Sequence, residues 1–143
     1  MFSVSQETFS HENMAKTAKR QLGDIGEDIT CKYIEKRGYR VIERNYLKPW
    51  GEIDIVAEGP KSLCFIEVKS VSRESKGSFS REPVRPEENF HPAKLKRLHR
   101  AIQTYLLERK VPESREWQID LACVYLDFSS RRAKVELLEN IVL

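Results

Sequence analysis

The sequence predicts one α/β domain whose mixed sheet has helices packed against it, in the order α-β-β-β-α-β with a trailing strand. Three observations lead there. Leu22, Ile25, Ile29 and Tyr33 recur at spacings of three and four, the stripe of an amphipathic helix. Three short strand-like segments then follow one another across tight turns. A second helical stripe leads into a nearly unbroken apolar run, as an interior strand requires. A meander followed by a helical crossover makes the sheet mixed.

Taken in order, residues 1–13 hold Ser, Thr, Asn and His without periodicity and read as a flexible leader, leaving 14–143 as the domain. Residues 14–37 form the first helix, which Gly38 stops. Strands follow over 39–46, 52–58 and 63–71, the last two joined by the breaker-rich turn Gly59-Pro60-Lys61-Ser62. Residues 72–91, rich in Ser, Arg, Glu and Pro, make the one long loop, and long loops in compact domains are often functional. Pro92 opens a second helix that runs to residue 110 and buries Leu95, Leu98, Ile102, Tyr105 and Leu106. Residues 118–126 form the interior strand and 133–138 a last strand at an edge.

A length of 143 residues leaves room for a single core. The net charge of +3 permits an anionic partner without demanding one, so the placement of charge matters more than its sum. The longest apolar run, 121–126, falls far short of the ~20 residues of a membrane span. The opening residues show no charged-then-apolar signal pattern, so the expectation is a cytoplasmic protein with no membrane partner. Cys31, Cys64 and Cys123 are odd in number and sit in apolar patterns, and His11, His91 and His99 show no ligand spacing with them. They read as buried reduced thiols and not as a zinc site.

The chemistry is expected on the hairpin. If Glu58 faces Leu63 across the turn, Val56 faces Phe65, Asp54 faces Glu67 and Glu52 faces Lys69, all on one side of the sheet. Ile53, Ile55, Ala57, Cys64, Ile66 and Val68 then form a wholly apolar opposite side. Asp54 and Glu67 come face to face with Cβ atoms roughly 5 Å apart, where like charges repel. A divalent cation removes that conflict, and Mg²⁺ (or Mn²⁺) suits one or two carboxylates completed by water and phosphate oxygens. Lys69 is placed to bind a phosphate oxygen or orient the attacking water. The competing structural reading is a Glu52–Lys69 cross-strand ion pair with both remaining acids solvated.

The run Gly51-Glu52-Ile53-Asp54 followed by Ile66-Glu67-Val68-Lys69 resembles the PD-(D/E)xK signature of restriction-endonuclease-like folds. More narrowly, the chain is similar to the small bacterial YraN-like family, related in fold to Holliday-junction resolvases. The matching pieces are Gly26-Glu27, Gly38-Tyr39, Arg44-Asn45-Tyr46, the two runs above, Pro92 with Lys94 and Arg97, and Ile119-Asp120. The resemblance implies a restriction-endonuclease-like mixed sheet and a Mg²⁺-dependent site. In that site Asp54 and Glu67 are ligands, the Val68 carbonyl also meets the metal, Lys69 handles water or phosphate, and Glu27 supports from the first helix. Ile53 stands where the signature usually has proline.

Lys94, Arg97 and Arg100 form a basic row outside the apolar stripe of the second helix, which beside a phosphate-handling site suits DNA-backbone contacts. Glu52 and Asp120 are supporting candidates, Asp120 in a structural hydrogen-bonding role; Trp50 reads as a core or turn residue with base stacking as the alternative. The expected function is a metal-dependent endonuclease acting on branched or single-stranded DNA, with a homodimer compatible with that class. A catalytically silent nucleic-acid binder that keeps the fold, or a protein-docking factor, would use the same residues.

Overall fold

A computed structural model describes residues 2–8, 18–73 and 86–141. The elements are β1 (Phe2–Thr8), α1 (Ala18–Glu35), β2 (Arg40–Lys48), β3 (Gly51–Glu58), β4 (Leu63–Arg73), α2 (Pro86–Asn89), α3 (Pro92–Glu108), β5 (Trp117–Asp127) and β6 (Arg132–Leu138). The six strands form one sheet in the order β1-β6-β5-β4-β3-β2. Only β4 and β5 run parallel, the crossover between them passing through α3; the other neighbours are antiparallel. The sheet is therefore mixed, as the meander-then-crossover order predicts.

Two apolar layers sandwich the sheet. Beneath α1, Ile25, Ile29 and Tyr33 pack on Ile55, Ala57, Ile66, Ala122, Val124 and Leu126. Beneath α3, Leu98, Ala101, Ile102 and Tyr105 pack on Ile53, Val56, Phe65, Leu121 and Cys123. Alternate residues of β4 and β5 serve opposite layers, so both strands read as continuous apolar runs. All three cysteines are buried and free. No helix among the described residues is long and apolar enough to cross a membrane.

Two expectations change. Phe2–Thr8 falls within the expected leader, yet the structure places it in a strand along β6, with Phe2 opposite Leu138 and Thr8 opposite Arg132. That moves β6 from the edge into the interior of the sheet. The expected loop is also shortened at both ends: β4 runs on to Arg73 beside β5, and Pro86–Asn89 form the short α2. Its centre, residues 74–85, lies outside the described residues.

At the far end of the strands, the Tyr39 hydroxyl donates to Glu139 Oε1 at 2.6 Å, tying the start of β2 to the segment after β6. Burial and that carboxylate push the Tyr39 hydroxyl well above its usual range, so it stays a donor throughout the working pH range. Tyr39→Phe is expected to cost about 1.5–3 kcal/mol, the usual value of a hydrogen bond to a charged acceptor. Urea denaturation at pH 7 measures it.

Candidate active site

The hairpin between β3 and β4 has the expected register near its turn: Glu58 faces Leu63, Val56 faces Phe65 and Ile55 faces Ile66. There the paired ladder ends, while β4 continues beside β5 through Arg73 and Asp127. Beyond Ile55 the two strands part. The Asp54 side chain occupies the opening, its Oδ2 accepting the Val68 backbone N–H at 2.8 Å. A carboxylate thus takes the place that a strand carbonyl would otherwise fill.

The cause lies partly in β2. Asn45 adopts φ 52°, a left-handed conformation that asparagine tolerates better than most residues. On one side of it Arg44 faces Ile55, and both address α1; on the other Tyr46 faces Ile53, and both address α3. The pleat of both strands changes face across the Asn45–Asp54 row. This corrects the expected apolar side of the hairpin, because Ile53 packs under α3 with Val56 and not under α1 with Ile55.

Two close helix approaches bring side chains to the opening. At Gly51 a Cβ would lie 2.5 Å from the Arg97 carbonyl oxygen, so α3 rests directly on the start of β3. At Gly26 a Cβ would lie 1.8 Å from Ser70 Oγ, so α1 rests on β4 and holds Glu27 at the other side of the split. The result is a cleft of about 180 Å³ lined by Gly51, Glu52, Asp54, Glu67, Lys94, Arg97 and Leu98.

Asp54 and Glu67 both line this cleft, close enough for each to shift the other's carboxyl. Burial and then the Glu67 charge push the Asp54 carboxyl up to about 8, against the lowering effect of the Val68 N–H. Burial likewise raises Glu67, opposed by Lys94, whose Nζ lies 3.0 Å from Glu67 Oε1. Glu27 is pushed up to about 7 by burial, with Arg44 pulling down and Glu52 and Asp24 adding to the rise. The Arg44 guanidinium prefers Asp28 at 2.9 Å and stands 3.8 Å from Glu27 Oε1, a buried atom with no hydrogen-bond partner. Three acids around one opening therefore hold their protons more tightly than ordinary carboxyls do.

Residues 26–124 match the uncharacterised protein family UPF0102. The chain belongs to this family, the YraN-like family of the sequence motifs. A UPF0102 protein of Campylobacter lari is 34% identical over 83% of this chain and 91% of its own length. One from Moorella thermoacetica is 36% identical over 85% and 95%, and one from Thermotoga neapolitana is 37% identical over 58% and 69%. The UPF0102 match opens one residue before Glu27 and closes inside β5, so every residue lining the cleft falls within it, while β6 and β1 fall outside.

Within the UPF0102 segment the expected site residues are distributed unevenly. Asp54, Glu67, Glu52, Lys94 and Arg97 line the cleft. Glu27 adjoins it and raises Asp54 through its charge. Lys69 shares the α3 side of β4 with Phe65 and Glu67 but is exposed, does not line the cleft, and makes no ion pair with Glu52. Val68 meets Asp54 through its backbone N–H. Arg100 stacks its guanidinium 4.4 Å from the Trp50 ring, away from the cleft lining. Asp120 is not brought to the cleft: fully buried on the α1 side, its Oδ1 accepts from Gln118 Nε2 and the Asn140 N–H at 2.8 Å each. Its work is to anchor the segment after β6.

Sequence reasoning missed the Lys94–Glu67 pair and the face change at Asn45. A lysine in the first turn of a helix was the signal for the first, since a cation belongs at the other end of the helix dipole.

The donor set fits a hard divalent cation. Two half-buried carboxyls share the cleft with raised proton affinity, and a third acid nearby has an orphaned oxygen. Among the described residues no three His, Cys, Asp or Glu side chains converge on one point, so water and phosphate oxygens must complete the shell.

Proposed function

We propose that this chain hydrolyses phosphodiester bonds of DNA with Mg²⁺ or Mn²⁺ held by Asp54 and Glu67, acting on branched or single-stranded substrates in the cytoplasm. The observation that carries the proposal is the half-buried Asp54–Glu67 pair at the split between β3 and β4, opening on a cleft that also holds Lys94 and Arg97. Two acids that repel, hold protons and face basic side chains make a poor structural pair and a good phosphate-handling one.

Asp54 and Glu67 would hold the cation after losing their protons, with the Val68 carbonyl and Glu27 as the further donors that the family motif implies. When bound there, the ion would supply a polarised water and offset charge building on the phosphate. Lys94 and Arg97, on one side of α3, bind the phosphates flanking the scissile bond, and the exposed Lys69 takes a phosphate at the mouth of the cleft. The Val68 N–H fixes the Asp54 rotamer, so the ligand geometry is set before substrate arrives.

Branched, flapped, single- and double-stranded DNA incubated with Mn²⁺ or Mg²⁺ tests this. Nicking should need the metal and fall about 100-fold or more in Glu67→Gln, the scale of losing a charge-stabilising group. Salt-sensitive DNA binding with no nicking of any substrate would leave the non-catalytic reading in place, which the basic face of α3 equally favours.

A further inference from the structure

Lys94 is placed oddly for a residue whose only task is to meet DNA. It lies in the first turn of α3, where its N–H donates to the capping His91 Nδ1 at 3.4 Å and no acidic residue offsets its charge. A cation there opposes the helix dipole. Its ammonium nevertheless turns into the cleft, 3.0 Å from Glu67 Oε1, with the Phe90 ring 6.0 Å beneath it. Glu67 in turn lines the same cleft as Asp54. Among the described residues, the one positive charge bonded to this pair therefore sits where a cation serving both carboxylates would have to approach.

We propose that Lys94 is a resident counter-ion of the Asp54–Glu67 pair, which a divalent cation must displace from Glu67 and which is thereby freed to bind a phosphate. The inference rests on the cation site proposed above. Metal and ammonium compete for the same carboxylate, so each weakens the other's hold. A phosphate that draws the ammonium outward removes the competitor, so DNA and metal strengthen each other's binding although they touch different residues. Such coupling is reciprocal by linkage. It also keeps the carboxylates compensated when no metal is present, when an unpaired buried charge would be costly.

Calorimetric titration of the full chain with Mn²⁺ alone tests this without any turnover. Lys94→Met should bind Mn²⁺ about tenfold more tightly than the wild-type protein, within the usual range of coupling between sites. Lys94→Arg, which keeps the charge, should restore the weaker wild-type affinity. In the wild-type protein the Lys94 side-chain Cε resonance should shift as Mg²⁺ is added, a readout that needs no variant. Equal Mn²⁺ affinity in Lys94→Met and wild type, with binding lost in Asp54→Asn, overturns the counter-ion role while leaving the cation site intact. Absence of Mn²⁺ binding in all of them overturns both.

Discussion

Asp54→Asn will make the metal-free protein more stable at pH 8.5 and will abolish its stabilisation by Mg²⁺. The folded Asp54 carboxyl titrates at about 8, far above the 3.8 of an unfolded aspartate. Between those values the folded chain holds a proton that the unfolded chain has released, so unfolding releases a proton and stability falls as pH rises. The penalty is small near pH 4 and complete above pH 8. Each tenfold change in proton affinity is worth about 1.4 kcal/mol, which makes the loss on the order of several kcal/mol at pH 8.5. Asparagine keeps an oxygen for the Val68 N–H and can donate to Glu67, yet never ionises. Its melting temperature should vary less between pH 5 and 8.5, with a residual slope of the same sign from Glu27 and Glu67, which burial also raises.

The metal arm runs the other way. Cation binding expels protons from the pair, so the wild-type protein should gain most from Mg²⁺ at low metal near pH 8 and least near pH 5. Ligand at a hundred times its dissociation constant adds about 2.7 kcal/mol. Melting curves at both pH values, with and without Mg²⁺, measure the two arms together. A wild-type protein as stable at pH 8.5 as at pH 5 would mean that no proton is held between the two acids.

The parts of this fold that could be read from the chain are those where one local pattern has one outcome. The stripe from Leu22 to Tyr33 can only bury one side of a helix, and Gly59 to Ser62 can only reverse the chain. Once the turn is fixed, counting by twos brings Val56 to Phe65; the ladder ends before Asp54, which meets Glu67 across the cleft and not as its ladder partner. What could not be read depends on partners far away in sequence. Phe2–Thr8 alternates weakly, and only the open edge of β6 makes it a strand. The face change at Asn45 breaks the counting rule just where the acids sit, and counting placed Ile53 on the wrong side for that reason. Lys69 follows the signature by spacing, whereas Lys94 reaches Glu67 because α3 lies against β3.

That last packing contact gives the sharpest test of how the site is held. Gly51→Ala should destabilise the protein by about 1–3 kcal/mol, the cost of forcing atoms into a full interior. The added methyl would stand 2.5 Å from the Arg97 carbonyl oxygen and 3.1 Å from its carbon, both backbone atoms that no rotamer change can move. The helix itself must retreat. Retreat carries Lys94 and Arg97 away from Glu67 and Glu52, so phosphate binding should weaken by more than the stability loss alone explains. Gly23→Ala is the matched control: it lies in α1, and nothing stands within 4 Å of its would-be methyl. There alanine should stabilise by roughly 0.5–1 kcal/mol through helix propensity and leave DNA affinity unchanged. Urea denaturation and DNA titration of both variants decide the matter. If Gly51→Ala binds DNA as the wild type does, the seat of α3 on β3 is not what aims its basic residues into the cleft.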